Sequence, residues 1–348
     1  MRYPVEDLKK FVVAVMTTAG LEEEESKIFA DGLLFADLRG IGSHGISRLR
    51  TYAKRVECGV VSSNITPEII MDSGALLAVD GKNGIGVSVA LQVMDICIER
   101  AKQYGCSFVG VKNGTHFGTG AYLTKYAANK NMIGFAISNS EAAVVPIGGA
   151  KPMLGTNPLS VSIPAGKHNP LVLDMATSVV ARGKVVLAEK EGKTIPDSWC
   201  VDANGAPTTD PKAALEGAML PFGGAKGYAI SLIIDLMCSS LAGALDGRKT
   251  HRFWDDFENP QNVGYFIGAF DISKIRSVNE FTDSVDSIFN EFKACPTAPG
   301  VEEVMIPGEI EDRKEQDNIQ NGIILSESVI DDLINVADHY SVKHPFIQ

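Results

Sequence analysis

Apolar residues near the start of the chain recur at three- and four-residue steps. Leu8, Phe11, Val12 and Val15 follow Pro4 and stop at Gly20, and Ile28, Phe29, Leu33 and Leu34 repeat the pattern up to Gly40. A proline before such a run and a glycine after it mark helix ends, so the first seventy or so residues read as helical. The run Glu22 to Glu25 fits an acidic, solvated first helical turn, where it suits the helix dipole. From about Ala75 the texture changes. Short β-branched runs at Ala75–Asp80, Ser107–Lys112, Ile133–Ser138 and Leu159–Ile163 are punctuated by Gly, Pro and Asn. Helical patterns over Ile85–Gln103 and Ala121–Lys130 separate the earlier ones, and strand-like runs then succeed one another through Leu173. This order predicts an α/β region built on a mixed sheet more than a purely parallel one. Further helices are expected at Gly227–Ala244, Asp283–Ala294 and Ser326–His339, the last with Ile330, Leu333, Ile334 and Ala337 on one face. That tail helix is expected to dock on the N-terminal ones. The division expected is a helical domain over residues 1–73 joined by 322–348, with an α/β domain over 74–321.

The 348 residues are 45% hydrophobic and 22% charged, ordinary globular composition and enough chain for two domains. A formal net charge of -11 argues against nucleic acid or an anionic membrane surface as partner, so an anionic ligand needs locally placed Arg, Lys or His. The start lacks a signal-peptide layout, and no stretch approaches the roughly 20 apolar residues that span a bilayer. Six scattered cysteines without a C-x-x-C pair suggest reduced thiols in a reducing compartment, so a soluble, cytoplasmic protein is expected. Neither a disulfide framework nor a metal site is written in the spacing.

Five segments offer chemistry. In Gly40-Ile41-Gly42-Ser43-His44-Gly45-Ile46-Ser47-Arg48-Leu49-Arg50-Thr51-Tyr52, a helix beginning at Ser43 as N-cap would put His44, Arg48 and Tyr52 on one face. A carboxylate docked on Arg48 would then lie beside a proton carrier, although the same spacing also describes a plain polar helix face. His116 sits in the Gly-rich turn Gly114-Thr115-His116-Phe117-Gly118-Thr119-Gly120, between a strand and a helix, where ligands tend to bind and where a lone histidine is more often just exposed. Ser138 to Glu141, Pro146 to Gly149 and Leu154-Gly155-Thr156-Asn157-Pro158 have little side-chain bulk, which permits close approach by a polar cofactor and also suits ordinary tight loops. Leu173-Asp174-Met175-Ala176-Thr177-Ser178 runs from a strand into a small-residue turn. In Phe222-Gly223-Gly224-Ala225-Lys226-Gly227-Tyr228, Lys226 stands at the entrance of an apolar helix, where it can neutralise a phosphate or carboxylate. No G-x-G-x-x-G follows a strand, and neither G-x-x-x-x-G-K-[ST] nor H-E-x-x-H occurs.

Taken together, these segments closely resemble the type-2 malate/L-lactate dehydrogenase family, which includes sulfolactate, ureidoglycolate and diketogulonate-type dehydrogenases and some cyclic imine reductases. The resemblance covers nearly the whole chain. It is most specific at Arg39 to Gly45, Leu154 to Pro158, Asp174 to Ser178 and Phe222 to Tyr228. It implies a non-Rossmann, mixed-sheet nicotinamide-binding α/β domain, a small helical domain built from both chain ends, and a homodimer. It further implies hydride transfer between the nicotinamide of NAD, with NADP as the alternative, and a small 2-hydroxy/2-oxo carboxylic acid of malate, sulfolactate or lactate type. His116, His44, Ser43 and Asp174 are then the expected catalytic groups, with Arg48, Tyr52 and Asn157 around the substrate. Ser140, Asp174, Met175, Ala176, Lys226, Gly308 and Glu309 are the expected cofactor contacts, and no metal is expected. The form Asn-Gly-Thr-His-Phe-Gly around His116 resembles hydroxy-acid members and lowers ureidoglycolate as substrate. His116 is favoured as the acid/base because it has no cationic neighbour in sequence, whereas His44 lies near Arg48. The competing readings are reduction of a cyclic imine acid on the same scaffold and a carboxylate-binding module without turnover.

Overall fold

A computed structural model describes residues 1–346. β1 (Arg2–Tyr3), α1 (Val5–Thr18) and α2 (Glu23–Leu38) come first, and two short 3-10 turns, Gly42–His44 and Ile46–Arg48, lead into α3 (Leu49–Glu57). β2 (Glu68–Asp72), β3 (Leu76–Asp80), α4 (Gly86–Tyr104), β4 (Cys106–Gly114), α5 (Gly120–Ala128) and β5 (Met132–Ser138) succeed them. Next come β6 (Leu159–Ile163), β7 (Leu171–Met175), α6 (Arg182–Lys190), β8 (Cys200–Val201), α7 (Pro211–Glu216) and β9 (Ala218–Met219). The chain continues through α8 (Ala225–Leu236), β10 (Val263–Asp271), α9 (Val278–Lys293), α10 (Glu309–Asn321), β11 (Ile323–Ile324) and α11 (Glu327–Tyr340).

Seven strands make one sheet in the order β2-β3-β4-β10-β5-β6-β7. β3 and β4 run parallel, bridged by α4, while the other neighbouring pairs are antiparallel. The mixed sheet expected from the sequence is therefore present, and its topology is not that of a doubly wound parallel sheet. Its central strand was not foreseen. β10 reads Val-Gly-Tyr-Phe-Ile-Gly-Ala-Phe-Asp, buried at all but one position, so it shows no period-two alternation to announce a strand. Its glycines are steric requirements: an added Cβ would come within 2.2 Å of the Cys238 carbonyl at Gly264 and 2.3 Å of the Phe108 ring at Gly268. The helix expected over Gly227–Ala244 starts two residues earlier, and its second half widens into a π-helical turn at Met237–Leu241. That turn packs against β10 and β4.

One hydrophobic cluster joins both chain ends: Leu8, Phe11 and Val12 of α1, Phe29 and Leu33 of α2, Leu49 and Tyr52 of α3, Leu333 and Val336 of α11, and Phe346. The docking of the tail helix on α1 and α3 follows from this shared burial; the last two residues of the 322–348 segment lie outside the described residues. A second cluster fills the face of the sheet covered by α4 and α5, with Val79, Val93, Val109, Leu123 and Ile267 at its centre.

Charges stitch α2, α5 and α10 together. Arg39, only 1% exposed, pairs through Nη1 with Asp312 and with Glu315 at 2.7 Å. Lys125 of α5 reaches the same two carboxylates at 3.0 and 2.7 Å. Removing one partner from such a buried set leaves charge uncompensated, so Arg39→Ala is expected to lower unfolding stability by about 3 kcal/mol in urea titration. A loss below about 1 kcal/mol would mean that Lys125 alone satisfies both carboxylates.

Candidate active site

The site begins with a carboxylate at the end of α2. Asp37 is 7% exposed and accepts the Ile46 amide through Oδ2 at 2.6 Å. Among the described residues no cation pairs with it, and burial pushes its carboxyl up to about 7, the bond from Ile46 opposing only part of the shift. Gly45 is bare because an added Cβ would stand 2.1 Å from Asp37 Oδ1. This contact bends the chain into the two 3-10 turns, and the single helix expected from Ser43 is therefore corrected to an irregular entry. Ser43 does not cap a helix; its Oγ lies 3.0 Å from His44 Nδ1. Arg48 occupies the residue immediately before α3, and its Nε donates to the Ser43 carbonyl.

His44, Arg48, Tyr52 and His116 nonetheless converge. The two imidazoles lie 5.7 Å apart with planes inclined by 26°. The Tyr52 hydroxyl is 2.5 Å from His116 Nδ1, which also accepts the Gly118 amide at 3.2 Å. An amide N–H can only donate, so neutral His116 carries its proton on Nε2. A third wall comes from an irregular segment, residues 242–262. There Phe253 packs at 5.0 Å against both Tyr52 and His116, Trp254 lies 4.5 Å beneath the Arg48 guanidinium, and Gln261 Oε1 accepts the His116 amide at 2.9 Å.

Burial first, and the neighbouring cationic groups second, depress both histidines. His44 is pushed down to about 3 by burial and by the Arg48 charge. His116 is held well below its ordinary value by burial first, then by Arg48, His44 and Arg55. The expectation that His116 has no cationic neighbour is thereby corrected: the fold supplies neighbours that are distant in sequence.

The residues expected to hold the cofactor gather around the end of β7. The Thr177 amide donates to the Thr156 carbonyl at 2.8 Å, the Thr156 amide to Ser140 Oγ at 3.1 Å, and the Phe222 amide to the Thr177 carbonyl at 3.0 Å. Asp174, Met175 and Ala176 thus stand between the Ser140 loop and the turn that leads to Lys226. That turn fits a phosphate. Gly223 and Gly224 have φ of 57° and 64° with nothing within 4 Å of an added Cβ, α8 has no side-chain cap, and Lys226 is exposed on its first turn.

Three expected roles change. Asn157 is 0% exposed, and its amide accepts from the Ser140 backbone and donates to the Ser231 carbonyl, so it shapes the loop and does not face substrate. Glu309 is taken up by Lys293 at 2.8 Å, by Arg313 and by the Ile306 amide, while Gly308 packs on Val172, so the Glu309 carboxylate is not free for a cofactor. Asp174 accepts the Ala121 amide at the start of α5 at 2.9 Å; its hydrogen bonds reach neither imidazole, and burial raises it to about 6. It ties β7 to the helix that follows His116. Asp37, Arg55, Phe253, Trp254 and Gln261 were missed, since none lies in a motif or at a telling spacing.

A non-Rossmann sheet, an arginine beside two imidazoles and an adjacent phosphate-compatible turn fit a nicotinamide-dependent oxidoreductase of small hydroxy acids. The chain belongs to the malate/L-lactate dehydrogenase family, whose profile matches residues 3–334. It is 38% identical to an L-sulfolactate dehydrogenase of Methanothermobacter thermautotrophicus over 99% of this chain and 98% of that protein. It is 35% identical to an NAD(+) ureidoglycolate dehydrogenase of Escherichia coli O157:H7 over 100% of both. A crystal structure of malate dehydrogenase from Entamoeba histolytica superposes with TM-score 0.94 at 31% identity, covering 99% of each chain.

Burial contributes most to this depression, but an anion seated on Arg48 would offset the Arg48 charge and raise His116 from its depressed value. Binding of oxamate to the NADH-loaded protein is therefore expected to be accompanied by uptake of a fraction of a proton. Calorimetry in buffers of different ionisation enthalpy measures this directly; a heat independent of buffer would refute the coupling.

Proposed function

We propose that this protein interconverts a small 2-hydroxy acid of malate, sulfolactate or lactate type and its 2-oxo acid, with NAD as the preferred cofactor and NADP as the alternative. The observation that carries this is the free edge of Arg48. Its Nε is held by the Ser43 carbonyl and one face by Trp254, while Nη1 and Nη2 make no hydrogen bond among the described residues. That edge suits a bidentate carboxylate, and the carbon next to the carboxylate then lies beside His44 and His116. The Ser140, Asp174–Ala176 and Lys226 cluster would hold the nicotinamide cofactor, whose chemistry would be hydride supply or acceptance. The printed names of relatives include both NAD(+) and NADP(+) enzymes.

In the reductive direction His116 Nε2 gives the proton to the forming alkoxide. Tyr52 supports each state, because its hydroxyl donates to Nδ1 in the resting ring and accepts from Nδ1–H both in the charged ring and in the Nδ1–H tautomer left once the Nε2 proton is given up. Two imidazoles 5.7 Å apart beside two guanidiniums take up at most one additional proton between them, so His44 stays neutral and, with Ser43, orients the substrate. Asp174 positions α5, and with it the His116 turn.

Arg48→Ala is expected to lower kcat/KM for the 2-oxo acid about a hundredfold, near 3 kcal/mol, with little rescue by Arg48→Lys. NADH affinity, followed by fluorescence, should hold in Arg48→Ala and weaken in Lys226→Ala. In His116→Asn the near-neutral ionisation of kcat/KM should disappear. If His44→Asn loses it while His116→Asn keeps it, the two histidines exchange roles. A panel of oxaloacetate, pyruvate, 3-sulfopyruvate and 2-oxoglutarate, each with NADH and NADPH, names the acid; turnover only of keto acid plus amine would favour the imine-reductase reading.

The helical division at residues 1–73 with 322–348, a cytoplasmic setting and a homodimer complete the proposal. No helix among the described residues is long and apolar enough to cross a membrane. For the dimer, α8 and its π turn leave Ile233, Leu236 and Leu241 between 49% and 67% exposed, next to a groove of about 450 Å³ lined by Met153, Leu232 and Leu236. Such a patch suits a second copy. Leu236→Glu with Leu241→Glu should convert a dimer to a monomer in light scattering, and an unchanged mass would place the interface elsewhere.

A further inference from the structure

The segment between the π turn and β10 has no regular structure, yet it is firmly held. Arg55, 0% exposed, lies one turn beyond Tyr52 on α3 and donates to the carbonyl oxygens of Arg252 at 3.4 Å, Phe253 at 3.3 Å, Asp256 at 2.7 Å and Asn259 at 3.4 Å. A guanidinium without a carboxylate partner is unfavourable in the interior unless its donors are satisfied, and here the loop carbonyls take up both Nη groups, leaving Nε as the one donor without a partner among the described residues. The loop also holds itself: His251 Nδ1 lies 2.9 Å from Asp256, whose other oxygen accepts the Glu258 and Asn259 amides at 3.1 and 3.0 Å. Gln261 then fixes its far end to the His116 amide.

This clamp presents two aromatic rings with opposite fates. Phe253 is 2% exposed and fills the space between Tyr52 and His116. Trp254 is 47% exposed, and its ring faces the Arg48 guanidinium at 4.5 Å. A large aromatic left in water contributes little to core packing, so its placement calls for another reason. Stacking supplies one: an arginine lying on an indole keeps all its in-plane N–H groups free, unlike an arginine held by a carboxylate. With Nε on the Ser43 carbonyl and one face on Trp254, the guanidinium keeps one orientation.

We propose that Trp254 is a positioning residue of the substrate pocket: its indole holds the Arg48 guanidinium with the Nη edge turned toward the incoming carboxylate, on a loop that Arg55 clamps in place. This rests on the assignment of Arg48 made above. Trp254 acts through Arg48 and takes no part in proton or hydride transfer. Its effect therefore belongs in the capture of the acid, before chemistry.

The test uses the full-length protein. Trp254→Ala should raise KM for the accepted 2-oxo acid about tenfold while changing kcat less than about threefold, and Trp254→Phe should recover most of the loss. NADH affinity should not move. In an Arg48→Ala background, Trp254→Ala should add nothing, because the residue it positions is gone. Trp199 and Trp254 are the only tryptophans, so Trp199→Phe isolates the emission of Trp254. That emission should differ between Trp199→Phe and Trp199→Phe/Arg48→Ala without any ligand, and should respond to oxamate added to the NADH-loaded protein only when Arg48 is present. An additive penalty in the Arg48→Ala background, an unchanged KM in Trp254→Ala, or emission indifferent to Arg48 would each overturn the proposal. Failure of the 2-oxo-acid reading looks different: the wild type would then turn over none of the acids, while the ligand-free emission comparison would still decide whether Trp254 holds Arg48.

Discussion

The bond from the Ile46 amide to the Asp37 carboxylate sets the path of the chain through the substrate side of the site. It fixes where α2 ends, why residue 45 has no side chain, and why Gly42–His44 and Ile46–Arg48 on either side of it form 3-10 turns and not one continuous helix. Ser43, His44 and Arg48 all ride on that turn, and Arg48 reaches back to the Ser43 carbonyl only because the turn is tight. The carboxylate has no cationic partner among the described residues, so its burial is unfavourable. With a folded-state pKa near 7 against an ordinary 3.8, the native chain binds a proton here that the unfolded chain does not, and this contribution to stability declines as pH rises through that window. His44 and His116 act in the opposite sense. Their folded values lie below 6.5, so their contribution is present above 6.5 and is lost as pH falls. The site is thus unfavourable to the fold from both directions, as expected where groups are arranged for chemistry.

The same depression gives the histidines their functional state. Burial first and the nearby Arg48 charge second keep both rings neutral, with the His116 proton on the nitrogen that makes no hydrogen bond among the described residues. On the proposal that Arg48 takes the substrate carboxylate, the arriving charge would offset the Arg48 share of that depression, and substrate binding and proton uptake at His116 would be coupled through one electrostatic contact.

Much of the scaffold was legible in the sequence because it follows strong periodicity: α1, α2, α4 and α11 each show an apolar stripe, and β3, β5 and β6 are β-branched runs between turn residues. β10 escaped because a strand buried on both faces inside the sheet has no alternation to read. The irregular start of α3 escaped because spacing alone cannot reveal a buried carboxylate one turn upstream. The candidate site was legible as far as its motifs reached: His44, Arg48, Tyr52 and His116 do meet. Asn157 and Glu309 carry polar side chains that a sequence cannot distinguish from ligand contacts, because their partners, Ser231, Lys293 and Arg313, are remote or unremarkable in the chain. Phe253 and Trp254 sit in a polar loop without period, and only the four carbonyls gathered by Arg55 show that this loop is a wall of the site.

Two separately anchored halves must meet to about an ångström for hydride transfer. The substrate half hangs on the helical cluster through Asp37, Tyr52 and Arg55, and the cofactor half on the edge of the sheet through β6, β7 and the Thr156–Thr177 lacing. His116 belongs to both. Its turn leaves β4, Tyr52 and Gln261 hold it from the substrate side, and four residues later Asp174 holds the start of α5 from the cofactor side. The buried ion set of Arg39, Lys125, Asp312 and Glu315 then locks α5 to α2, the helix that carries Asp37. A displacement of α5 would therefore move the His116 turn, the end of β7 and the end of α2 together, preserving their mutual geometry. This explains why a short helix far from any reacting atom is bound at its start by a raised-pKa carboxylate and along its length by an ammonium.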